Sequence, residues 1–331
     1  NGNAGVAVTS GSGSATIDNT HPTLNTIAIA NGGTGDASEN DVVSLTFKSV
    51  SDVTTAPTCT FTDAASAAIG SAVTASGSAT LWTCALTMTN GAGDGVMTFS
   101  IAYSDSNGNA GTAETSTDDS TAITIDNTHP TLNTISIANG GTGDGSDGET
   151  LSLTFKSVSD VTTAPTCTFT DSASEAMANS ASTASGSATL WTCTLLVDNS
   201  DASGAMTFSI AYSDSNGNAG TAETSTDDST AITIDNTHPT LNTISIANGG
   251  TGDASENEVV SLTFKSVSDV TTAPTCTFTD AASAAIGSAV TASGSATLWT
   301  CALTMTNGAG DGVMTFSIAY SDSNGNAGTA E

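Results

Sequence analysis

"MTFSIAYSDSNGNAGT", residues 206–221, carries a strand signal followed directly by a turn signal. Met206, Phe208, Ile210 and Tyr212 alternate with Thr207, Ser209 and Ala211, the period of two that gathers apolar side chains on one face of a strand. From Asp214 onward Asp, Asn and Gly take over, residues that bond their own backbone and tolerate left-handed conformations. The same alternation recurs where Leu151, Leu153 and Phe155 are interleaved with Ser152, Thr154 and Lys156. Further strands are predicted in "LNTISIA" from 132, "PTCTFT" from 165, "LWTCTLLV" from 190 and "TAITID" from 230. Six or seven short strands separated by Gly, Ser, Asp and Asn clusters predict an all-β fold built as an antiparallel sandwich.

That block is repeated. His21, His129 and His238 are 108 and 109 residues apart, and Lys48, Lys156 and Lys265 keep the same intervals. Residues 24–114 and 241–331 differ only at Ala28 versus Ser245 and Asp41 versus Glu258. Three tandem units are expected: 19–126, 127–235 and 236–331, the third without its last strand, preceded by residues 1–18 as the last strand of an earlier unit. "NGNAG" at residue 1 matches positions inside a unit, so the segment is expected to be a window on a longer array, with any targeting signal outside it. A second expectation is a filament in which the opening strand of one chain completes the third unit of the next.

Composition narrows the function. With 33 acids against three lysines and no arginine, the net charge is -30, which repels nucleic acid and anionic membranes. A hydrophobic fraction of 37% with 33 glycines is lean for one large globule and suits several small β domains. No apolar run reaches the roughly 18 residues needed to span a bilayer, so no membrane insertion is expected within this segment. No Asn is followed two positions on by Ser or Thr, so N-linked glycans have no acceptor.

The six cysteines come as Cys59 and Cys84, Cys167 and Cys193, Cys276 and Cys301, one pair per unit. Cys193 shares strand parity with Trp191, Leu195 and Val197, and Cys167 with Phe169, so both thiols point inward. Disulfides within units, and hence an oxidising extracellular setting, are the favoured reading. Buried free thiols are one alternative, and a metal or redox site is another, with only one histidine per unit to assist it.

"PTLNTISIANGG", "ETLSLTFKS", "APTCTFTD", "MTFSIAYSDSNGNAGT" and "AITIDNTHPT", in that order, resemble the tandem bacterial immunoglobulin-like (Big-type) repeats of giant cell-surface adhesins. The likeness covers essentially the whole chain, and the paired cysteines depart from it. It implies a surface or extracellular location and calcium at the junctions between units. The residues offer donors for that ion: "DSNGNAG" at 105–111, 214–220 and 322–328 sets Asp, Asn and Asn at alternate positions of a turn, a source of the hard oxygens Ca²⁺ prefers. It is not an EF-hand, because the glycine falls one position late and Ser116 and Ser225 stand where a bidentate Glu belongs. Carried over by position, the resemblance nominates Asp105, Asn107, Asn109 and Asp126 around the first joint, and Asp214, Asn216, Asn218 and Asp235 around the second. The competing reading is that these side chains only hold turns.

No catalytic set stands out. His129 precedes Pro130, which favours extended chain at a handover between domains, and Asp126 nearby makes a Ser-His-Asp assignment unselective among so many serines. A regular threonine array for ice binding would need a far shorter repeat. The expected function is structural and non-enzymatic: an extracellular rod or fibre segment, either adhesin stalk or surface filament, whose partners are neighbouring repeats and other copies of the chain. The alternative is an immunoglobulin-like module that binds a carbohydrate or protein through its loops.

Overall fold

The computed structural model describes residues 11–331 apart from 12, 14, 51, 79–80, 159, 188–189, 268–269 and 296–297. Most of the segment 1–18, expected to be a strand, lies outside the described residues; Ala15 to Asp18 form no strand.

The first repeat contains β1 (Leu24–Asn31), β2 (Val42–Ser49), β3 (Thr58–Thr62), β4 (Val73–Thr74), β5 (Ser76–Ser78), β6 (Leu81–Thr87), β7 (Gly95–Val96), β8 (Thr98–Ala102) and β9 (Thr124–Ile125). One sheet has the order β1-β2-β6-β5, a second β4-β3-β8, and β7 pairs with β9 in a short ribbon; the ladders are antiparallel. The second repeat follows the same order from Leu132–Asn139 to Thr233–Ile234. The third keeps both sheets, from Leu241–Asn248 to Thr315–Ala319, and among its described residues has no counterpart of the β7–β9 ribbon.

Apolar residues of the two sheets of each repeat meet in a core of its own. In β2 the alternation buries Val43, Leu45 and Phe47, with Ser44 and Thr46 half-buried on the other face. A disulfide crosses between sheets in every repeat: Cys59–Cys84 joins β3 to β6, and Cys167–Cys193 and Cys276–Cys301 do the same, each with Cα atoms 6.3 Å apart. The free-thiol and metal readings of these cysteines are thereby set aside.

Strand alternation alone misreads β1. Leu24 and Ile27 have opposite parity, yet both are buried. The strand register shifts between Asn25 and Ala28, and Thr26 sits there at φ 55°, a conformation that a β-branched side chain adopts only under constraint. The kink turns Ile27 inward, and Asp118 holds it: its backbone N–H donates to the Ile27 carbonyl at 2.9 Å, and its carboxylate accepts from the Ile27 N–H at 3.3 Å. Thr134 and Thr243 repeat the conformation. Thr134→Asn, which suits the left-handed region better, is expected to stabilise the second repeat by about 1 kcal/mol, read as a higher denaturant midpoint at unchanged slope.

Buried aspartates brace the loops. Asp63 accepts from the N–H groups of Ala65, Ala67 and Gly93 at 3.0, 2.8 and 3.0 Å, and Asp171 and Asp280 are held in the same way. Donation from the Gly93 and Ala67 N–H groups holds the Asp63 carboxyl below its ordinary 3.8, and Asp171 and Asp280 are also lowered, chiefly by Ala202 and Ala284. Because the folded value lies below the unfolded one, this stabilisation is present above pH 3.8 and is lost as pH falls through the depressed values. Melting temperature should drop in that acid window, and Asp63→Asn should flatten the drop.

Two compact units divide the chain: Asn1–His129 with Ser213–Asn218, and Pro130–Tyr212 with Ala219–Glu331. The short strip Ser213–Asn218 belongs with the first because of the hydrogen bonds described next.

Candidate functional site

The turn that opens with Asp214 is built by that residue. Its Oδ1 accepts from the N–H groups of Asn216 and Asn218, both at 2.9 Å, and its Oδ2 from the Asn218 amide at 2.9 Å. The Asp214 N–H donates to the Asn218 carbonyl at 3.1 Å. Between them Gly217 has φ 95°, a conformation glycine takes without steric cost. Asp105 and Asp322 close identical turns. Burial pushes the Asp105 carboxyl up, but donation from the Asn109 side chain and the backbone of Asn109 and Asn107 outweighs it, leaving the group below its ordinary value.

Each turn then grips a linker. Asn216 donates to the Asp126 carboxylate at 2.7 Å and Asn218 to the Asp126 carbonyl at 2.8 Å. Asn216 also accepts from the Asp36 N–H at 2.9 Å, and its own carbonyl accepts from the Ser38 hydroxyl at 2.9 Å. In the second unit Asn324 and Asn326 hold Asp235 at 2.7 Å each, while Asp144 N–H and Ser146 Oγ donate to Asn324 at 3.1 and 3.0 Å. Gly35 and Gly143 make this approach feasible, since a Cβ there would lie 2.3 and 2.4 Å from the Oδ1 of Asn216 and Asn324.

The nominated residues are therefore regrouped. Asp126 joins Asp214, Asn216 and Asn218, and Asp235 joins Asp322, Asn324 and Asn326. Asp105, Asn107 and Asn109 instead meet Asp18, to which Asn107 and Asn109 donate at 2.7 and 3.1 Å. Topology is the reason. The turn follows the end of β8, beside the chain that enters β1, whereas β9 pairs with Gly95–Val96, just ahead of β8, and so leaves from the other end. Thr20 N–H, with the Asn107 amide, holds the Asp18 carboxyl below its ordinary value.

The histidines are linker brackets. His21 Nδ1 lies 2.8 Å from the Ala110 carbonyl, His238 Nδ1 2.8 Å from that of Ala327, and His238 Nε2 3.0 Å from Asn199 Oδ1. His129 Nε2 lies 3.0 Å from the Asn90 amide. Sequence reasoning passed over the linker asparagines. Asn127 donates to the carbonyls of Ala92 and Thr89 at 2.9 and 3.4 Å, its N–H donates to Asp94 at 2.7 Å, and Asp94 also accepts from Thr128 Oγ1. Asn236 donates to the carbonyls of Asp198 and Asp201, both at 2.9 Å. The threefold recurrence of "DNTHP" was the available signal.

Among the described residues no three His, Cys, Asp or Glu side chains converge as a metal-ligand group. Asn218 Oδ1 is nevertheless buried without a hydrogen-bond partner, in a residue 3% exposed. The amide nitrogen of Asn218, rather than this oxygen, faces the Asp214 carboxylate and the Asp126 carbonyl.

No family model matches the chain, and no curated protein matches it. Solved structures do. A tetra-tandem repeat in the extending region of a large adhesion protein is 18% identical over 94% of this chain and 73% of that one, with a TM-score of 0.27. The FN1-FN3 domains of chicken CNTN1 are 14% identical over 93% and 95%, with a TM-score of 0.31, and an I-band fragment of titin is 8% identical over 92% and 94%, with a TM-score of 0.35. Strand order decides the fold without them: β1-β2-β6-β5 is the A-B-E-D sheet, and β3 beside β8 is the C-F pair of the other. Each repeat is an immunoglobulin-like sandwich. The immunoglobulin-like repeats here carry their disulfide between the C and E strands, whereas antibody domains join B to F. No helix of the described residues is long and apolar enough to cross a membrane.

Proposed function

We propose that the chain is a structural, non-enzymatic segment of an extracellular fibre or adhesin stalk, in which calcium clamps each joint. The observation that carries this reading is the repeated grip of an Asp-Asn-Asn turn on the linker entering its own repeat, with Asp126 held by Asn216 and Asn218 and Asp235 by Asn324 and Asn326. A bracket of side-chain hydrogen bonds restricts how one repeat follows another, and stability stays local while length grows by addition. The three disulfides support an oxidising setting outside the cytosol.

Calcium would be held by the carboxylates of Asp126 and Asp214 and the amide oxygens of Asn216 and Asn218, and by Asp235, Asp322, Asn324 and Asn326 at the next joint. The gathering of two carboxylates and two amide side chains in one hydrogen-bonded set supports the assignment. Loading would exchange amide N–H contacts for amide oxygen contacts, which an asparagine does by a half-turn about its terminal bond. It would also turn the repulsion between neighbouring acids into attraction. Millimolar Ca²⁺ is expected to raise the melting temperature and narrow the distribution of lengths seen by small-angle scattering, and Asp126→Asn should remove both effects at the first joint. Identical melting and scattering in EDTA and in Ca²⁺ would exclude the clamp.

A further inference from the structure

An asparagine followed by glycine can modify itself, because a glycine nitrogen unhindered by a Cβ can attack the side-chain amide before it. In the first two repeats this pair begins at Asn31, Asn90, Asn107, Asn139 and Asn216, and the fold treats the pairs differently. The N–H groups of Gly32 and Gly140 donate to the Val42 and Thr150 carbonyls, both at 3.0 Å, so those nitrogens are occupied. Gly108 N–H donates to the Asp105 carbonyl at 3.3 Å. The Asn216 amide is pinned at both ends, by the Asp126 carboxylate at 2.7 Å and the Asp36 N–H at 2.9 Å.

Asn90 escapes these restraints. Asn90 and Gly91 form an exposed turn, the Gly91 N–H has no hydrogen-bond partner among the described residues, and no atom lies within 4 Å of where a Cβ on Gly91 would stand. The Asn90 amide nitrogen lies 3.0 Å from His129 Nε2 and donates to Glu39 Oε2 at 3.4 Å. A departing nitrogen needs a proton, and an imidazole within hydrogen-bond reach is the side chain best suited to supply one. The second repeat keeps the histidine contact, His238 Nε2 to Asn199 Oδ1 at 3.0 Å. It has Ser200 in place of glycine, however, and the Ser200 N–H donates to the Asp198 carboxylate at 2.9 Å.

We propose that Asn90 is a self-modification site in which Gly91 supplies the nucleophile and His129 the general acid. The Gly91 nitrogen bonds to Asn90 Cγ and gives up its proton to water. The Cγ–Nδ2 bond breaks, and the nitrogen departs as ammonia with a proton from the His129 imidazolium, which recovers one from solvent. Water then opens the succinimide ring at either carbonyl and leaves aspartate or isoaspartate, so asparagine and water become acid and ammonia with no redox step. The new acid stands beside Glu39, and the isoaspartyl form lengthens the main chain between Thr89 and Ala92, whose carbonyls hold Asn127. The change is one-way and loosens the grip on the linker, so the loop records the age of the molecule. It needs no calcium and stands apart from the clamp.

Incubation of the full chain at neutral pH in EDTA, followed by peptide mass mapping and isoaspartyl methyltransferase labelling, tests this. Conversion at Asn90 is expected to outpace that at Asn31, Asn139, Asn199 and Asn216 by about tenfold or more. Gly91 does not occupy the left-handed region, so Gly91→Ala should suppress the conversion at an unchanged melting temperature. His129→Gln should slow it about tenfold, less than an enclosed general acid contributes because the turn is exposed. Added imidazole should then restore the rate, which a merely structural role for His129 would not allow. An Asn90 that stays an amide, one that converts no faster than Asn31, or one that His129→Gln leaves at the parent rate overturns the proposal. So does a slowing in His129→Gln that imidazole fails to reverse.

Discussion

Replacing Cys167 and Cys193 together by alanine is expected to cost the second repeat about 3.5 kcal/mol, the loop-entropy value for a cross-link that closes 26 residues. The repeat is lean, and its buried side chains are mostly single Leu, Ile, Val, Met and Phe residues from short strands. A domain's whole stability is about 5–15 kcal/mol, so the double variant should be strongly destabilised and melt well below the parent. Both sulfurs are fully buried, so a reductant without denaturant should leave the native bond intact while the same reductant in urea cleaves it. The repeats have separate cores, and the loss should therefore be local. Hydrogen exchange followed by mass spectrometry would see faster exchange across residues 132–211, with the first repeat unchanged. Uniform loosening of all repeats would show that the cores are coupled.

Ile234→Ala should have a comparable effect, about 3 kcal/mol, from lost transfer energy plus an imperfectly collapsed cavity. Ile234 belongs to a strand of two residues, yet it is 1% exposed, so it is the most deeply buried anchor of the closing segment, with Ile232 packed less deeply beside it. Without Ile234, Met206 and Phe208, buried in the intact repeat, should lose part of their cover. A lowered denaturant midpoint, together with faster exchange at Met206 and Gly145, whose N–H groups donate to that segment, is the expected result. An unchanged midpoint would mean that the neighbouring loop, rather than this isoleucine, closes the core.

Much of this was readable in the residues. Leu151, Leu153 and Phe155 announced a strand by their spacing, and Thr150–Ser157 is one. The inward parity of Cys167 and Cys193 foretold a bond across the core. Three things were not readable, each for a physical reason. The kink at Thr134 reverses parity within a strand, and nothing in a threonine advertises a positive φ. "TAITID" reads as a full strand, but only Thr233–Ile234 pair, because its other residues bond one at a time to loops. The grouping of Asp126 with Asn216 rather than Asn109 depends on which end of the sandwich the last strand leaves from, and local spacing does not encode that.

The cross-link between the third and sixth strands also governs how a repeat would yield to tension. Pulled from its ends, an oxidised second repeat can pay out only the chain outside the closed loop, because the stretch between Cys167 and Cys193, which are 26 positions apart, is bypassed by the sulfur bridge. At about 3.5 Å per extended residue, the bridge withholds roughly 90 Å of contour from each unravelling event. A fibre of such repeats would yield in short steps and recoil from a loop that was never lost.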